Sequence, residues 1–573
     1  MQIQTYLKKH NVNAVLIRST DIYLNEYVPK ESSIRYKLTN FDGSMGDAII
    51  TQNSAHLFVD GRYELQAQQQ ALGFIVHVTK SGQSIESAWL EYLGDMLKPK
   101  DILAYDPAVI DMNLFKNLKK AAQKSQFNLS SNACEVFNEL ALIKSTDHDF
   151  NIWQVSEVYC QSDSEKLEMF NKILIDHEIS GLFLSKLDDI AWAINMRSDY
   201  FAYQATIPAL ACILKNEILL ALDYVPSSMP KINNHIKIVN RKELYNKLSN
   251  LKGYLGIDES ETTKQHEIDL HKLKIELKNV SNPIAVKKAI KHEKELLHMR
   301  QAFRKADEVV HKTIQFAKKA YEEGSSITEG ELQDYLQNSF KESKAKFLSF
   351  KPICAAGKNG AIIHYNSSNY QQKIAPNSLF LLDTGAFYEG GYATDLTRTF
   401  FLGDKNSKAQ SWQSQMFTLV LKASINGLNA RIKKGSSALQ LDGIIRQPLW
   451  QHGLDFAHGT GHGVGVNVHE FPPRIGPRAH NILQESQVFS IEPGIYIENI
   501  GGVRIENLVC LVQDPDLKDF LRIQPLTFCP FDEALIDYSM LSASDKIFLE
   551  YYKAQWDNHN PMPDLPPLTT IKF

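Results

Sequence analysis

Ser378-Leu-Phe-Leu-Leu-Asp383-Thr-Gly-Ala-Phe-Tyr-Glu-Gly-Gly-Tyr-Ala-Thr-Asp395-Leu-Thr-Arg-Thr-Phe-Phe-Leu402 is the stretch on which the reading of this sequence turns. Two apolar runs flank a segment that contains Gly385, Gly390 and Gly391. That pattern predicts a β-hairpin with one carboxylate on each arm, Asp383 and Asp395, 12 residues apart. An antiparallel pair brings side chains so spaced close together across the ladder. Taken singly, an Asp at a strand end is a solvated or turn-capping group.

Three further segments also set a possible metal ligand beside a strand. His462 lies in Gly459-Thr-Gly-His-Gly-Val-Gly465, where glycine falls at every second residue, a strand period and not the dinucleotide-binding spacing. Glu492 follows the apolar Gln487-Val-Phe-Ser-Ile491 and precedes Pro493-Gly494. Glu506 ends Gly502-Val-Arg-Ile-Glu506, ahead of a second apolar run. Four carboxylates and one imidazole in one pocket would repel strongly without cations. Two divalent ions would neutralise them, and oxygen ligation with one imidazole suits Mn²⁺, Co²⁺ or Zn²⁺. Two metals about 3.5–4 Å apart can activate a water and clamp a substrate oxygen. The residues by themselves leave their convergence open.

The rest of the chain narrows the alternatives. Its 573 residues suggest three or four domains, and 43% hydrophobic with 22% charged residues is ordinary for globular protein. The formal charge of −4 argues against an electrostatic nucleic-acid binder. No apolar run reaches the roughly 18–20 residues of a membrane span, and the first residues lack a secretory-type apolar core, so a cytoplasmic protein is expected. The six cysteines, at 134, 160, 212, 354, 510 and 529, form no Cys-x-x-Cys pair and read as reduced, mostly buried thiols. His266-Glu-Ile-Asp-Leu-His271 has i to i+5 spacing, which leaves the imidazoles about 140° apart on a helix, so a polar surface helix is expected instead of a metal site.

Strand-like and helix-like segments alternate, so the class is α/β (α+β). Asn13-Ala-Val-Leu-Ile17, Gly181-Leu-Phe-Leu-Ser185 and Glu217-Ile-Leu-Leu-Ala-Leu222 read as strands, and Asp47-Ala-Ile-Ile-Thr51 with His56-Leu-Phe-Val-Asp60 as a hairpin. Asp21-Ile-Tyr-Leu-Asn25 and Asp189-Ile-Ala-Trp-Ala193 occupy similar places in two successive units and hint at a duplication. The polar Lys144-Ser-Thr-Asp-His-Asp149 marks the first boundary, residues 281–310 read as a solvated helix leading into the last unit, and Pro561-Met-Pro-Asp-Leu-Pro-Pro567 reads as a loose tail.

At these residues the chain resembles the pita-bread metallopeptidases, and within them the long three-domain aminopeptidase P (Xaa-Pro aminopeptidase) family. The resemblance covers nearly the whole chain. It is carried by Asn40-Phe-Asp-Gly-Ser-Met-Gly46 and Val59-Asp-Gly-Arg-Tyr63, by Leu187-Asp-Asp-Ile-Ala-Trp-Ala-Ile-Asn-Met-Arg197, and by Ile363-His-Tyr365, Leu382-Asp-Thr-Gly385, Thr394-Asp-Leu-Thr-Arg-Thr399, His458-Gly-Thr-Gly-His-Gly-Val-Gly465, Val468-His-Glu470, Ile491-Glu-Pro-Gly494 and Val503-Arg-Ile-Glu506. Pro525-Leu-Thr-Phe-Cys-Pro530 matches the family's C-terminal segment. The aspartates stand one residue further apart than is usual in that family, and a bulge in the tip Glu389-Gly-Gly-Tyr392 would absorb the difference.

The resemblance implies two creatinase-like N-terminal α/β domains, residues 1–148 and 149–289, followed by a pita-bread catalytic domain with a short C-terminal extension, residues 290–573. It implies two divalent metal ions, manganese foremost with cobalt or zinc as alternatives. Asp383 would bind one metal, Asp395 and Glu506 would bridge both, and His462 and Glu492 would complete the other. His458, Glu492 and Arg504 would be catalytic, and His364, His458, His469 and Arg62 would bind substrate. The implied activity is hydrolysis of the bond between an N-terminal residue and a following proline by a metal-bridging hydroxide, on peptides with proline second, in a cytoplasmic homodimer that engages neither nucleic acid nor membrane. A prolidase restricted to Xaa-Pro dipeptides is the alternative. A non-catalytic pita-bread binding protein is the other, and such relatives lack the full ligand set present here.

Overall fold

The computed structural model describes residues 2–80, 82–143, 148–559 and 563–568. Residues 144–147 of the expected first boundary lie outside them. The chain divides into two compact units: Met1–Gln154 with Ser162–Tyr200 and Thr206–Ile284, and Val155–Gln161 with Phe201–Ala205 and Ala285–Phe573. The first unit takes in the expected domain 1–148 and most of 149–289, without 155–161, 201–205 and 285–289, and the continuous part of the second begins at Ala285.

The first unit holds two six-stranded sheets, one built from strands between Ala14–Ile17 and Asn128–Ser130, the other from strands between Gly181–Leu184 and Leu277–Asn279. Numbered one to six along each half, the strands lie in the order 4-3-2-1-5-6 in both sheets. The directions also agree: strand 1 is antiparallel to 2, strand 2 to 3, and the remaining pairs are parallel. The duplication is therefore written in topology. The two short pieces that hinted at it differ locally. Leu187–Ala193 is a wholly buried helix, whereas Asp21 opens a turn by accepting the amide hydrogens of Tyr23 (2.9 Å) and Asn25 (3.1 Å). The runs Ala14–Ile17 and Gly181–Leu184 are apolar throughout because each is an inner strand buried on both faces. His266 and His271 sit on the helix Lys264–Lys272 and diverge as their spacing requires: His266 is buried edge-on to Phe183, and His271 faces outward.

In the second unit the expected hairpin is formed by Ser378–Thr384 and Leu396–Leu402, with Ile353–Ala356 as a third antiparallel strand. Asp383 lies opposite Thr397, and the same register continues without a slip to the bridge between Phe387 and Ala393. The additional residue thus belongs to the tip 388–392, and the expected bulge does not form. Gly391 supplies the left-handed turn there, with φ +62°.

Period-two alternation gives the hairpin two unlike faces. Phe380, Leu382, Leu396, Phe400 and Leu402 join one core cluster with Ala302, Ala306, Val309 and Val310 of the helix Glu293–Glu322. Asp383, Asp395 and Thr397 have the opposite parity and look the other way. The helix is therefore not simply solvated: Leu296, Met299 and Phe303 are buried while Leu297 remains exposed. It starts after His292, whose ring caps it in a reciprocal box with Glu295, which separates it from the short helix Pro283–Ala289. It also holds the tip, because the Gly390 amide donates to His298 Nε2 (3.0 Å) and the Tyr392 hydroxyl to Glu295 (2.7 Å).

A six-stranded sheet runs Arg431–Lys433, Phe520–Pro525, Asn507–Gln513, Val488–Ile491, Gly461–Gly463, Glu470–Ile475. The helices Ser411–Leu428, Ala438–Trp450 and Ala543–Asp557 share its core through Val420, Ile445, Phe489, Ile523 and Phe548. The proline-rich end is not loose where it is described: Pro563 and Pro566 are buried, and their carbonyls accept from Gln524 Nε2 (2.8 Å) and from Arg522. All six cysteines are free, five of them buried. Among the described residues no helix is long and apolar enough to cross a membrane.

Candidate metal centre

The five residues expected as ligands lie on strands or immediately beside them. Asp383 is the penultimate residue of Ser378–Thr384, and Asp395 immediately precedes Leu396–Leu402. His462 is the middle of Gly461–Gly463, Glu492 follows Val488–Ile491, and Glu506 precedes Asn507–Gln513. The glycines beside His462 have a steric reason: a Cβ on Gly461 would stand 1.8 Å from the Ser490 carbonyl oxygen. That close approach brings the His462 strand onto the strand leading to Glu492.

The structure brings the five together. Asp395, His462 and Glu506 each offer a ligand atom within 4.8 Å of the other two. His462 Nε2 lies 3.5 Å from Asp395 Oδ2 and 3.6 Å from Glu492 Oε1, while its Nδ1 faces the Gly463 carbonyl at 3.1 Å. Asp383, across the hairpin, accepts on Oδ2 from the Arg504 guanidinium at 2.6 Å. Thr397 Oγ1 donates to Glu506 Oε2 at 2.8 Å.

The electrostatics of this set are those of a cation cage. Burial pushes the Asp395 carboxyl well above its ordinary range, and the charges of Glu506, Asp383 and Glu492 push it further. Burial does the same to Glu506, reinforced by Glu492 and Asp383. Two like charges 4 Å apart cost about 4 kcal/mol at an effective dielectric near 20, so four ionised carboxylates here are unstable without cations. Asp383 Oδ1 and Asp395 Oδ1 are buried and have no hydrogen-bond partner among the described residues. Unpaired buried carboxylate oxygens beside an imidazole fit divalent metal ions, and the oxygen-rich donor set fits Mn²⁺, Co²⁺ or Zn²⁺.

Around the cage, Arg504 is the principal brace. It is 2% exposed and donates to Asp383 Oδ2, to Tyr496 Oη (2.8 Å), to Thr397 Oγ1 (3.2 Å) and to the Ile363 carbonyl (3.3 Å). The last bond fixes the residue just before His364. His458 has both ring nitrogens engaged, Nδ1 with the Gly459 carbonyl (2.6 Å) and Nε2 with Tyr496 Oη (2.9 Å), and its Nδ1 is 3.8 Å from Glu492. His469 packs edge-on to His462, with ring centroids 4.4 Å apart. Arg62 belongs to the first unit, where it forms a two-pronged pair with Asp60 at 2.9 and 2.7 Å.

Two site residues were not singled out from the sequence. Tyr496 links Arg504 to His458, and burial pushes its hydroxyl up to about 12, so it stays protonated at neutral pH. Thr397 could have been found: it stands two residues after Asp395, on the same face of a strand. Tyr496 had no such signal, because only the pairing of Gly494–Ile497 with Gly501–Arg504 brings it to Arg504.

Comparison with known proteins agrees with this geometry. Residues 298–513 match Metallopeptidase family M24, and residues 1–137 and 148–295 each match a Creatinase/Prolidase N-terminal domain. A Sordaria macrospora relative named as a probable Xaa-Pro aminopeptidase P is 30% identical over 96% of this chain and 93% of its own length. The chain belongs to metallopeptidase family M24. Among solved structures, the X-prolyl aminopeptidase of Caenorhabditis elegans, a cytosolic enzyme with a di-nuclear active site, is 26% identical, with a TM-score of 0.86 over 95% of this chain and 91% of that one. The prolidase of Pyrococcus horikoshii OT3 is 26% identical, with a TM-score of 0.51, and covers 65% of this chain and 100% of its own.

Proposed function

We propose that this chain is an Xaa-Pro aminopeptidase, which removes an N-terminal residue that precedes proline. The observation that carries the reading is the grouping of Asp395, His462 and Glu506 within 4.8 Å of one another, with Glu492 at 3.6 Å from His462 and the Asp383 charge acting on Asp395. Two divalent ions held by these five residues, manganese foremost and cobalt or zinc as alternatives, would supply water acidified to neutral pKa and a Lewis acid for the scissile carbonyl.

The chain's own residues do the rest. Glu492, with one oxygen toward His462 and the other toward His458, receives a proton from the attacking water and returns it to the departing proline nitrogen. That nitrogen carries no hydrogen in the substrate, because an Xaa-Pro bond is a tertiary amide, so recognition rests on the ring's shape. Arg504 holds Asp383 with one oxygen turned from the guanidinium, and His458 keeps Tyr496 and Glu492 in register. His364 and His469 are assigned to substrate binding, and Arg62 is given the same role on the resemblance alone.

The match over both N-terminal domains to an X-prolyl aminopeptidase supports this reading over the prolidase, whose whole length corresponds to about two thirds of this chain. The cytosolic neighbour and the free cysteines support a cytoplasmic enzyme, and a homodimer is the assembly proposed. The test is metal reconstitution. Chelated enzyme should regain cleavage of an Xaa-Pro-Yaa peptide with two equivalents of Mn²⁺, and Glu492→Gln or His462→Ala should abolish it in a folded chain. Cleavage confined to Xaa-Pro dipeptides would replace the aminopeptidase reading with the prolidase one, and no metal-dependent cleavage would refute both.

A further inference from the structure

The back of the catalytic hairpin carries a hydrogen-bond hub that involves none of the residues given a role above except Glu506 and Thr397. Arg398 has the parity of the core face and is 1% exposed. All five of its N–H groups are used. Nε and one terminal nitrogen donate to the Cys529 carbonyl (2.9 and 2.7 Å), and the other terminal nitrogen donates to the carbonyls of Thr397 (2.8 Å) and Glu506 (2.7 Å). The last donor goes to the hydroxyl of Tyr552 at 2.7 Å.

Tyr552 lies on the helix Ala543–Asp557, beyond the 298–513 segment that matches the peptidase family. Its hydroxyl accepts from Arg398 and from Asn507 Nδ2 (2.8 Å), and its single proton faces the carbonyls of Thr527 (3.1 Å) and Cys529 (3.2 Å). Asn507 follows Glu506 and pairs with Ile491, the residue before Glu492. One hydroxyl is therefore tied to both sides of Glu506: through Arg398 to the Glu506 and Thr397 carbonyls, and through Asn507 to the next residue. On the front face, the Thr397 hydroxyl holds the Glu506 carboxylate.

We infer that Tyr552 is a positioning residue for Glu506, so that the C-terminal helix takes part in setting the metal cage. The inference rests on the aminopeptidase reading for its activity readout. Outer partners of metal ligands change affinity or activity by about 10- to 100-fold when removed. Tyr552→Phe deletes one oxygen and leaves Arg398 its four other bonds.

The experiment compares the full-length wild type, Tyr552→Phe, Tyr551→Phe and Arg398→Lys, alone and combined with Tyr552→Phe. Tyr551→Phe is the control, since among the described residues its hydroxyl donates to the Asp564 carbonyl (2.6 Å) and not to the hub. Measured are kcat and KM on an Xaa-Pro-Yaa peptide in saturating Mn²⁺, Mn²⁺ affinity by calorimetry, and thermal unfolding. Tyr552→Phe should lose about 10-fold in kcat with KM within about two-fold and should bind Mn²⁺ more weakly, while Tyr551→Phe matches wild type. In the Arg398→Lys background Tyr552→Phe should cost less than it does alone, because the bond between the two is already gone and only the Asn507 route remains to be lost. Unchanged kcat and Mn²⁺ affinity in Tyr552→Phe would overturn the inference, as would an activity loss that only follows the unfolded fraction. Should Tyr552→Phe yield no folded protein, Arg398→Lys breaks the same bond from the other side and is judged by the same two readouts. A wild type that binds Mn²⁺ without cleaving the peptide would sink the aminopeptidase reading alone, and the Mn²⁺ affinities would still judge Tyr552.

Discussion

Replacing Asp307 by Asn should make the enzyme more stable at alkaline pH, by an amount that can be worked out. Asp307 lies on the helix Glu293–Glu322, fully buried; Oδ2 accepts the Phe528 amide hydrogen at 2.6 Å, and Oδ1 has no hydrogen-bond partner among the described residues. Burial raises its carboxyl from 3.8 to about 7, against the opposing attraction of Arg398 and Arg304. The folded protein thus holds a proton that the unfolded chain releases near pH 4. An acid whose pKa is raised on folding costs nothing below its unfolded pKa, and stability drains away as pH rises through the window from 3.8 to about 7. At 1.36 kcal/mol per unit, the cost is about 4 kcal/mol at pH 8 and about 2 kcal/mol at pH 5. Asn keeps an acceptor for Phe528 and carries no charge, so Asp307→Asn should recover up to those amounts. Urea unfolding of the chelated protein at pH 5 and pH 8 measures both. An advantage that does not grow from pH 5 to pH 8, or a variant destabilised equally at both, would refute the assignment of a buried charge at this position.

Three further outcomes can be checked independently. Because Asp395 and Glu506 sit well above their ordinary range without metal, Mn²⁺ binding should expel protons and weaken as pH falls, and calorimetry in buffers of different ionisation enthalpy should show the release. Arg504→Lys should lower kcat by about 100-fold in a folded protein, since one ammonium cannot hold Asp383, Tyr496, Thr397 and Ile363 together, and steady-state kinetics read this directly. Ending the chain after His559 should cost about 1–3 kcal/mol of stability, because Gln524 and Arg522 lose the carbonyls of Pro563 and Pro566, and a chemical melt that stayed in place would contradict the docked tail.

The parts of this protein legible in its sequence are those where local pattern and global fold agree. The hairpin could be read because two apolar runs, glycine and two carboxylates coincide within 25 residues. The grouping of the four carboxylates with His462 could be anticipated because each carboxylate abuts an apolar run and His462 lies in a glycine-rich strand. The repeated sheet topology was only hinted at, since strand order depends on long-range pairing that no window of sequence contains. Bracing by Tyr496 and Tyr552 could not be read, because each acts through partners brought near only by tertiary packing. The tail was misread for a related reason: proline-rich composition speaks for extended backbone, and says nothing of whether buried Arg522 and Gln524 await its carbonyls.

The parity of the hairpin has an evolutionary corollary. One face is chemistry and the other is mortar, and the two are separated only by odd and even positions. Adding or deleting a residue within 379–382 would turn Asp383 toward the helix and deliver leucine to the catalytic side. The same edit within 388–392 lies beyond the last paired rung and leaves both faces intact. A change of length along the arms therefore scrambles both faces at once, whereas at the apex it spares their parity and is answered only by the Gly390 and Tyr392 contacts that tie the tip to the helix.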